Sequence, residues 1–128
     1  MRSVWAGLGV LAMSLVGLGF AAPGPDYTTQ VKPILVNNCY RCHGGMNHRG
    51  KLSLQTRAGM LKGGMDGAVI VPGDPSKSLL VKLIRHEGPK NDPMPMPPKG
   101  PKISDADIQT ITEWIRAGAI MPDEPTPK

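Results

Sequence analysis

The chain has 128 residues, of which 40% are hydrophobic and 4% aromatic, and its formal net charge at pH 7 is +5. This length suits one small domain, and a modest dispersed charge without an RNA- or DNA-binding motif argues against a nucleic-acid-binding protein. A domain of this size buries a limited share of its surface and is marginally stable without added help.

The N-terminal residues have the pattern of an export signal. Arg2 precedes an uncharged stretch from Val4 to Phe20, and small residues occupy positions 19 and 21, Gly19 and Ala21. This pattern is typical of a secretory signal peptide, here cut after Ala21, and it predicts a periplasmic protein. An uncleaved membrane anchor is the alternative, because the stretch is nearly long enough to span a bilayer.

Removal of residues 1–21 leaves a single domain at 22–128. We expect its core at about 27–122 and a disordered tail at 123–128. Within the core, residues 27–38 are predicted to form the first helix, since Val31, Ile34 and Leu35 recur at helical spacing.

The two cysteines of the chain lie in Cys39-Tyr40-Arg41-Cys42-His43. C-x-x-C-H is the attachment pattern of c-type haem. Two thiols three positions apart can each form a thioether with one haem vinyl group, and the next histidine can then ligate the iron. The pattern therefore predicts one covalent haem c, with Cys39 and Cys42 binding the porphyrin and His43 the metal.

Two short helices are predicted further along the chain. Residues 56–62 form the first, which Gly63 and Gly64 stop. The second begins at Asp74-Pro75, since an N-cap residue followed by proline is a helix start, and it ends near His86. Its apolar stripe is about one helix face wide.

Residues 87–103 contain six prolines and are predicted to be an extended loop, because proline excludes both helix and central strand. Ser104 then caps the last helix, whose buried stripe contains Ile108, Ile111 and Ile115. Gly118 is expected as its terminal glycine. The fold class is therefore all-α: about four short helices, with long Gly/Pro-rich loops, around one covalent haem.

The second axial ligand of the iron is not fixed by spacing. Methionine is most often a core residue, but Met94 and Met96 lie in the stiff proline loop, where the backbone can hold a thioether at low entropic cost. The full set of candidates in residues 22–128 is Met46, Met60, Met65, Met94, Met96, Met121, His48 and His86.

Several separate segments together resemble the planctomycete-type cytochrome c domain. They occur in the expected order, at residues 31–35, 38–44, 54–59, 71–80, 96–100 and 114–119. The resemblance covers about residues 27–122 and implies a class I-like cytochrome c fold. It also implies that the methionine of the Met-Pro-Pro-Lys segment, Met96, is the second iron ligand, in preference to Met94.

These features predict an electron carrier, not an enzyme. A haem c ligated by His43 and Met96 has both axial positions filled and suits one-electron transfer between redox proteins, such as other cytochromes, dehydrogenases or a respiratory complex. One alternative is a haem enzyme or gas sensor with a labile sixth ligand. Another is a haem-free module, with a disulfide between the cysteines or a zinc site at Cys39, Cys42, His43 and His48.

Overall fold

The computed structural model describes residues 22–88, 93–94 and 101–122. The predicted signal peptide, most of the proline loop and the predicted disordered tail lie outside these residues. Met96 also lies outside them. Residues 87–88, 93–94 and 101–103 of the loop are described, and these include Met94.

The first helix begins with a wide turn. Asp26 caps it by accepting a hydrogen bond from the backbone N–H of Thr29 at 2.8 Å. A π-helical turn, Tyr27–Val31, leads directly into helix α1, Lys32–Asn38. Pro33 lies in the first turn of α1. The helix predicted over residues 27–38 is confirmed, as two segments.

A one-turn helix, α2, spans Tyr40–His43 and follows α1 after a break at Cys39. The chain then reverses: a two-residue strand, β1, at Asn47–His48 places His48 opposite His43 in an antiparallel bridge. The reversal requires Gly44, since a Cβ there would lie 2.9 Å from the Tyr40 carbonyl oxygen. A 3₁₀ turn at residues 49–51 follows.

Helix α3, Arg57–Lys62, begins one residue after the predicted start and ends at the predicted residue. The Thr56 hydroxyl caps it by accepting from the N–H of Gly59 at 3.0 Å. Gly63 ends it at φ 73° and ψ −158°, a conformation that only glycine adopts readily.

The helix predicted from Asp74-Pro75 onward is in fact two elements. Asp74 caps only a 3₁₀ turn, Pro75–Lys77, and helix α4 begins afterwards and spans Leu79–Ile84. The extended residue between them, Ser78, is fully buried. Its hydroxyl accepts from the Val71 N–H at 2.9 Å and donates to the Asp74 carbonyl at 2.9 Å. These bonds satisfy a buried polar group and explain the interruption of the helix.

The last helix, α5, spans Asp105–Arg116, and its N-cap is Ser104 as predicted. The Ser104 hydroxyl accepts from the Asp107 N–H at 3.1 Å. At the other end Gly118, at φ 106°, donates to the Ile115 carbonyl, and Ala119 donates to that of Trp114. These two bonds make a Schellman motif, which confirms Gly118 as the terminal glycine.

The two ends of the domain meet in its core. The rings of Tyr27 and Trp114 lie 5.7 Å apart, so the first turn packs on α5. The described residues are rich in helix and contain no β-sheet, which agrees with the all-α prediction at that level. None of their helices is both long enough and apolar enough to cross a membrane. The buried core is Tyr27, Val31, Ile34, Leu35, Leu54, Met60, Val69, Ile70, Leu80, Val81, Ile84, Ile103, Ile108, Ile111, Trp114, Ile115 and Ala119.

Candidate haem-binding site

Helix α2 places the three residues of the attachment motif on one turn. The N–H groups of Cys42 and His43 both donate to the Cys39 carbonyl, at 3.1 and 2.9 Å. All three side chains line one cavity, and both thiols are free. The motif therefore presents two sulfurs and an imidazole to the same space, as covalent attachment of a haem requires.

The cavity has a volume of about 570 Å³. Cofactor and small-molecule sites are commonly about 300–1,000 Å³ and largely apolar. The aliphatic residues that line this cavity come from four places: the loop before α3, the loop before the 3₁₀ turn Pro75–Lys77, helix α4, and the residues just before α5. They are Leu52, Leu54, Val69, Leu79, Leu80, Leu83, Ile84 and Ile103. The size and lining of the cavity suit a large flat apolar group.

Backbone hydrogen bonds connect the motif to the apolar wall. The N–H of Leu54 donates to the His43 carbonyl at 2.8 Å, so that one wall residue is fixed to the histidine itself. The N–H of Leu80 donates to the Val69 carbonyl at 2.9 Å, which joins two further wall residues. These bonds join the attachment motif to the aliphatic wall and join two parts of that wall to each other.

The thiol of Cys39 is in an environment that favours a neutral sulfur. Burial, and secondly the nearby Cys42, raises the pKa of Cys39 to about 11. A buried thiolate would lose its hydration without a compensating charge, so the protonated thiol is the stable form at neutral pH. A thioether is also neutral, and it places no charge in this half-buried position.

The candidate second ligands lie in very different places. Met94 lines the cavity, and its N–H donates to the Leu83 carbonyl at 3.1 Å, which ties the loop to α4. Met65 also lines the cavity but is 73% exposed. Met60 is fully buried in the core, and Met46 is fully exposed. The predicted ligand, Met96, lies outside the described residues.

The remaining candidates are not among the residues that line the cavity. His48 and His86 are exposed. Met121 is half-buried and packs on the core. Of the described sulfur and imidazole candidates, Met65 and Met94 line the cavity that His43 also lines.

Neither haem-free alternative gains support from the geometry. The cysteines do not form a disulfide. Within residues 22–88, 93–94 and 101–122, no three His, Cys, Asp or Glu side chains are grouped closely enough to hold a metal ion. The zinc set of Cys39, Cys42, His43 and His48 is therefore not assembled.

Two arginines that the sequence did not single out lie at the cavity. Arg41 and Arg49 are exposed and line it. Arg57, a candidate partner for a haem propionate on chemical grounds, does not line it, and its Nε donates to the Ala119 carbonyl at 3.1 Å. The position of Arg41 between the two cysteines was the signal that could have placed it here.

Residues 39–100 match a family model described as Planctomycete cytochrome C. These residues belong to a planctomycete-type cytochrome c domain. The match begins at the first cysteine of the attachment motif and includes both methionines of the proline loop. No curated protein and no solved structure matches the chain.

A cytochrome c domain implies haem c as the cofactor. The spacing of Cys39 and Cys42 fits the covalent attachment of that haem. The cavity agrees with this independently, because it brings both sulfurs and the His43 ring together in front of an aliphatic wall. The residues present therefore fit the group that the family implies.

Proposed function

We propose that the protein is a periplasmic mono-haem cytochrome c that carries single electrons between redox proteins. Cys39 and Cys42 hold the haem through thioethers, and His43 and Met96 ligate its iron. The observation that carries the proposal is the convergence of both thiols and the imidazole on one apolar cavity, inside a cytochrome c domain. The partners are other cytochromes, dehydrogenases or a respiratory complex, and the protein is not an enzyme.

The protein's own residues supply attachment and environment. A haem with histidine and methionine ligands supplies reversible one-electron chemistry at a raised reduction potential. The aliphatic wall around the cavity restricts water, and the polarity of the surroundings tunes the potential of such a centre. The N–H of Leu54, bonded to the His43 carbonyl, helps to hold the proximal ligand in place.

Met96 is the proposed second ligand because of its place in the Met-Pro-Pro-Lys segment. The bond from the Met94 N–H to the Leu83 carbonyl holds the chain at the cavity two residues before Met96. Two residues span at most about 7 Å, so that the cavity is within reach of either sulfur. Met94 is the competing ligand, and the observation in its favour is that it lines the cavity.

Substitution of the two methionines one at a time distinguishes them. We expect Met96→Leu to lower the reduction potential by a substantial part of the ~0.8 V range that axial ligands control, and to let the reduced iron bind carbon monoxide. Met94→Leu is the matched control and should change neither property much. Redox titration and carbon monoxide binding, followed by absorption, measure both.

If Met94→Leu changed both properties and Met96→Leu changed neither, Met94 would be the second ligand of the iron. Rapid carbon monoxide binding by the unsubstituted protein would instead contradict a filled sixth position, and would favour the haem enzyme or gas sensor.

A further inference from the structure

The charge of the domain is concentrated in one part of the chain. Residues 27–65 contain six Lys and Arg residues and no Asp or Glu. All of the acidic residues that follow Asp26 lie from Asp66 onward. The acid-free segment contains the attachment motif and the chain that turns back beside it.

Two arginines and two methionines of this segment are exposed near the attachment motif. Arg41 and Arg49 are exposed and line the cavity, Met65 lines it and is 73% exposed, and Met46 is fully exposed in the turn after α2. We call these four residues the Met/Arg surface. Methionine and arginine are both enriched in protein interfaces relative to the rest of the surface.

The segments that carry these residues are joined by hydrogen bonds. The Asn47 side chain donates to the Arg41 carbonyl at 3.2 Å, which ties the turn containing Met46 to the motif. The N–H of Met65 donates to the Gly50 carbonyl at 2.7 Å, which ties the segment containing Met65 to the turn containing Arg49. The Met/Arg surface is therefore one bonded patch, although its residues are up to 24 positions apart.

The arginines of this patch carry positive charge that no described ion pair neutralises. The ion pairs among the described residues join Lys77 to Asp74, Lys102 to Asp105 and Arg116 to Glu113. One acidic residue, Asp66, lines the same cavity and partly offsets the two arginines. Lys51 and His48 are exposed beside Arg49.

We propose that the Met/Arg surface is where the protein docks on the acidic face of a redox partner. The proposal rests on the proposed electron-carrier function and names the surface that this function uses. Arg41 lies between the two haem-attaching cysteines, so a partner seated here is next to the cofactor's point of attachment. Charge complementarity speeds encounter and orients the complex, and the exposed methionines supply the apolar contact.

The lysines around the proline loop are a weaker candidate for this role. Lys102 pairs with Asp105 at 3.4 Å, which offsets its charge. Lys90 and Lys99 lie outside the described residues.

The test uses the haem-loaded protein on a gold electrode coated with a carboxylate-terminated monolayer, which stands in for an acidic protein face. At low ionic strength, Arg41→Glu/Arg49→Glu should slow interfacial electron transfer by about tenfold or more, the scale of electrostatic steering. The matched control is Lys32→Glu/Lys82→Glu, which makes the same change in net charge at two exposed residues away from the cavity lining. That control should transfer electrons nearly as fast as the unsubstituted protein.

Two further variants test the surface through different effects, a faster transfer and a weaker adsorption. Asp66→Asn should speed transfer, because it removes the one acidic group among the described lining residues. Met46→Ser/Met65→Ser should weaken adsorption at high ionic strength, whereas Ile120→Ser, a change at a comparably exposed apolar residue, should not. An unchanged haem absorption spectrum shows that each variant has folded.

Equal slowing by the two double charge reversals would overturn the proposal, since the effect would then follow net charge and not position. Failure of the electron-carrier function gives a different result: the unsubstituted protein would show no reversible redox wave in solution with a neutral mediator.

Discussion

His43 is positioned through its backbone on both sides. Its N–H donates to the Cys39 carbonyl at 2.9 Å, and its carbonyl accepts from the Leu54 N–H at 2.8 Å. The first bond belongs to the motif helix and the second to the apolar wall. The backbone of His43, the proposed proximal ligand, is therefore hydrogen-bonded to both parts of the site.

A charged capping residue gives the domain a defined acid sensitivity. Asp74 accepts hydrogen bonds from the Ser76 hydroxyl at 2.5 Å and from the Lys77 N–H at 3.2 Å. These bonds, the hydroxyl first, hold the pKa of Asp74 below its usual range. A lowered carboxyl pKa stabilises the folded state above the unfolded value of about 4, and this stabilisation is lost as the pH falls toward the folded value.

We therefore expect Asp74→Asn to lower the melting temperature slightly at pH 7, because the amide keeps the cap but loses the charge. The difference from the unsubstituted protein should shrink as the pH falls below about 4. Thermal melts followed by circular dichroism from pH 3 to 7 measure it. A difference that stays constant over this range would show that the charge of Asp74 does not contribute.

At the scale of elements, the glycine that ends α3 controls a close approach of two chain segments. Gly63 has φ 73°, and a Cβ there would overlap the Gly67 carbonyl oxygen. The loop at residues 63–67 supplies Gly64 and Met65 to the cavity lining. The backbone conformation at one residue therefore shapes one side of the site.

Gly63→Ala should lower the free energy of unfolding by about 3 kcal/mol or more, since it adds a clash to the strain of a glycine-only conformation. Gly45→Ala is the matched control: Gly45 also has a positive φ, of 59°, but nothing lies within 4 Å of its Cβ position. We expect a cost of about 1 kcal/mol for it. Denaturant unfolding of the haem-loaded proteins gives both values, and equal costs would contradict the close approach.

Helices marked by local signals could be predicted from the sequence. Ser104 caps its helix as expected, and Gly63 and Gly118 end theirs. The break at Ser78 could not be predicted, because it depends on a bond to Val71, seven residues away in sequence. Local sequence patterns depend on residues within about one helical turn, whereas this interruption results from a tertiary contact.

The candidate site likewise has parts that could be predicted from the sequence and parts that could not. The spacing of Cys39, Cys42 and His43 specified the attachment chemistry, because all of its parts lie within five residues. The aliphatic wall and the position of Arg49 could not be read in this way, since they come from separate segments joined only in the fold. The choice between Met94 and Met96 stays a prediction.

At the scale of the whole molecule, the helices and loops of the domain surround the cavity of the candidate site. Tyr27 and Trp114 join its two ends on one side. The cavity of about 570 Å³ separates the attachment motif from α4. A small domain gains much of its stability from buried apolar area, and a haem in this cavity would complete the core as well as supply the chemistry.

Covalent attachment of haem through Cys39 and Cys42 is the claim on which the account depends. Its direct test is a haem-stained denaturing gel of the exported protein, produced together with a cytochrome c maturation system, beside the Cys39→Ser/Cys42→Ser variant. We predict a stained band for the unsubstituted protein and none for the variant, because only thioether-bound haem survives denaturation. A colourless unsubstituted protein after proper maturation would contradict the account.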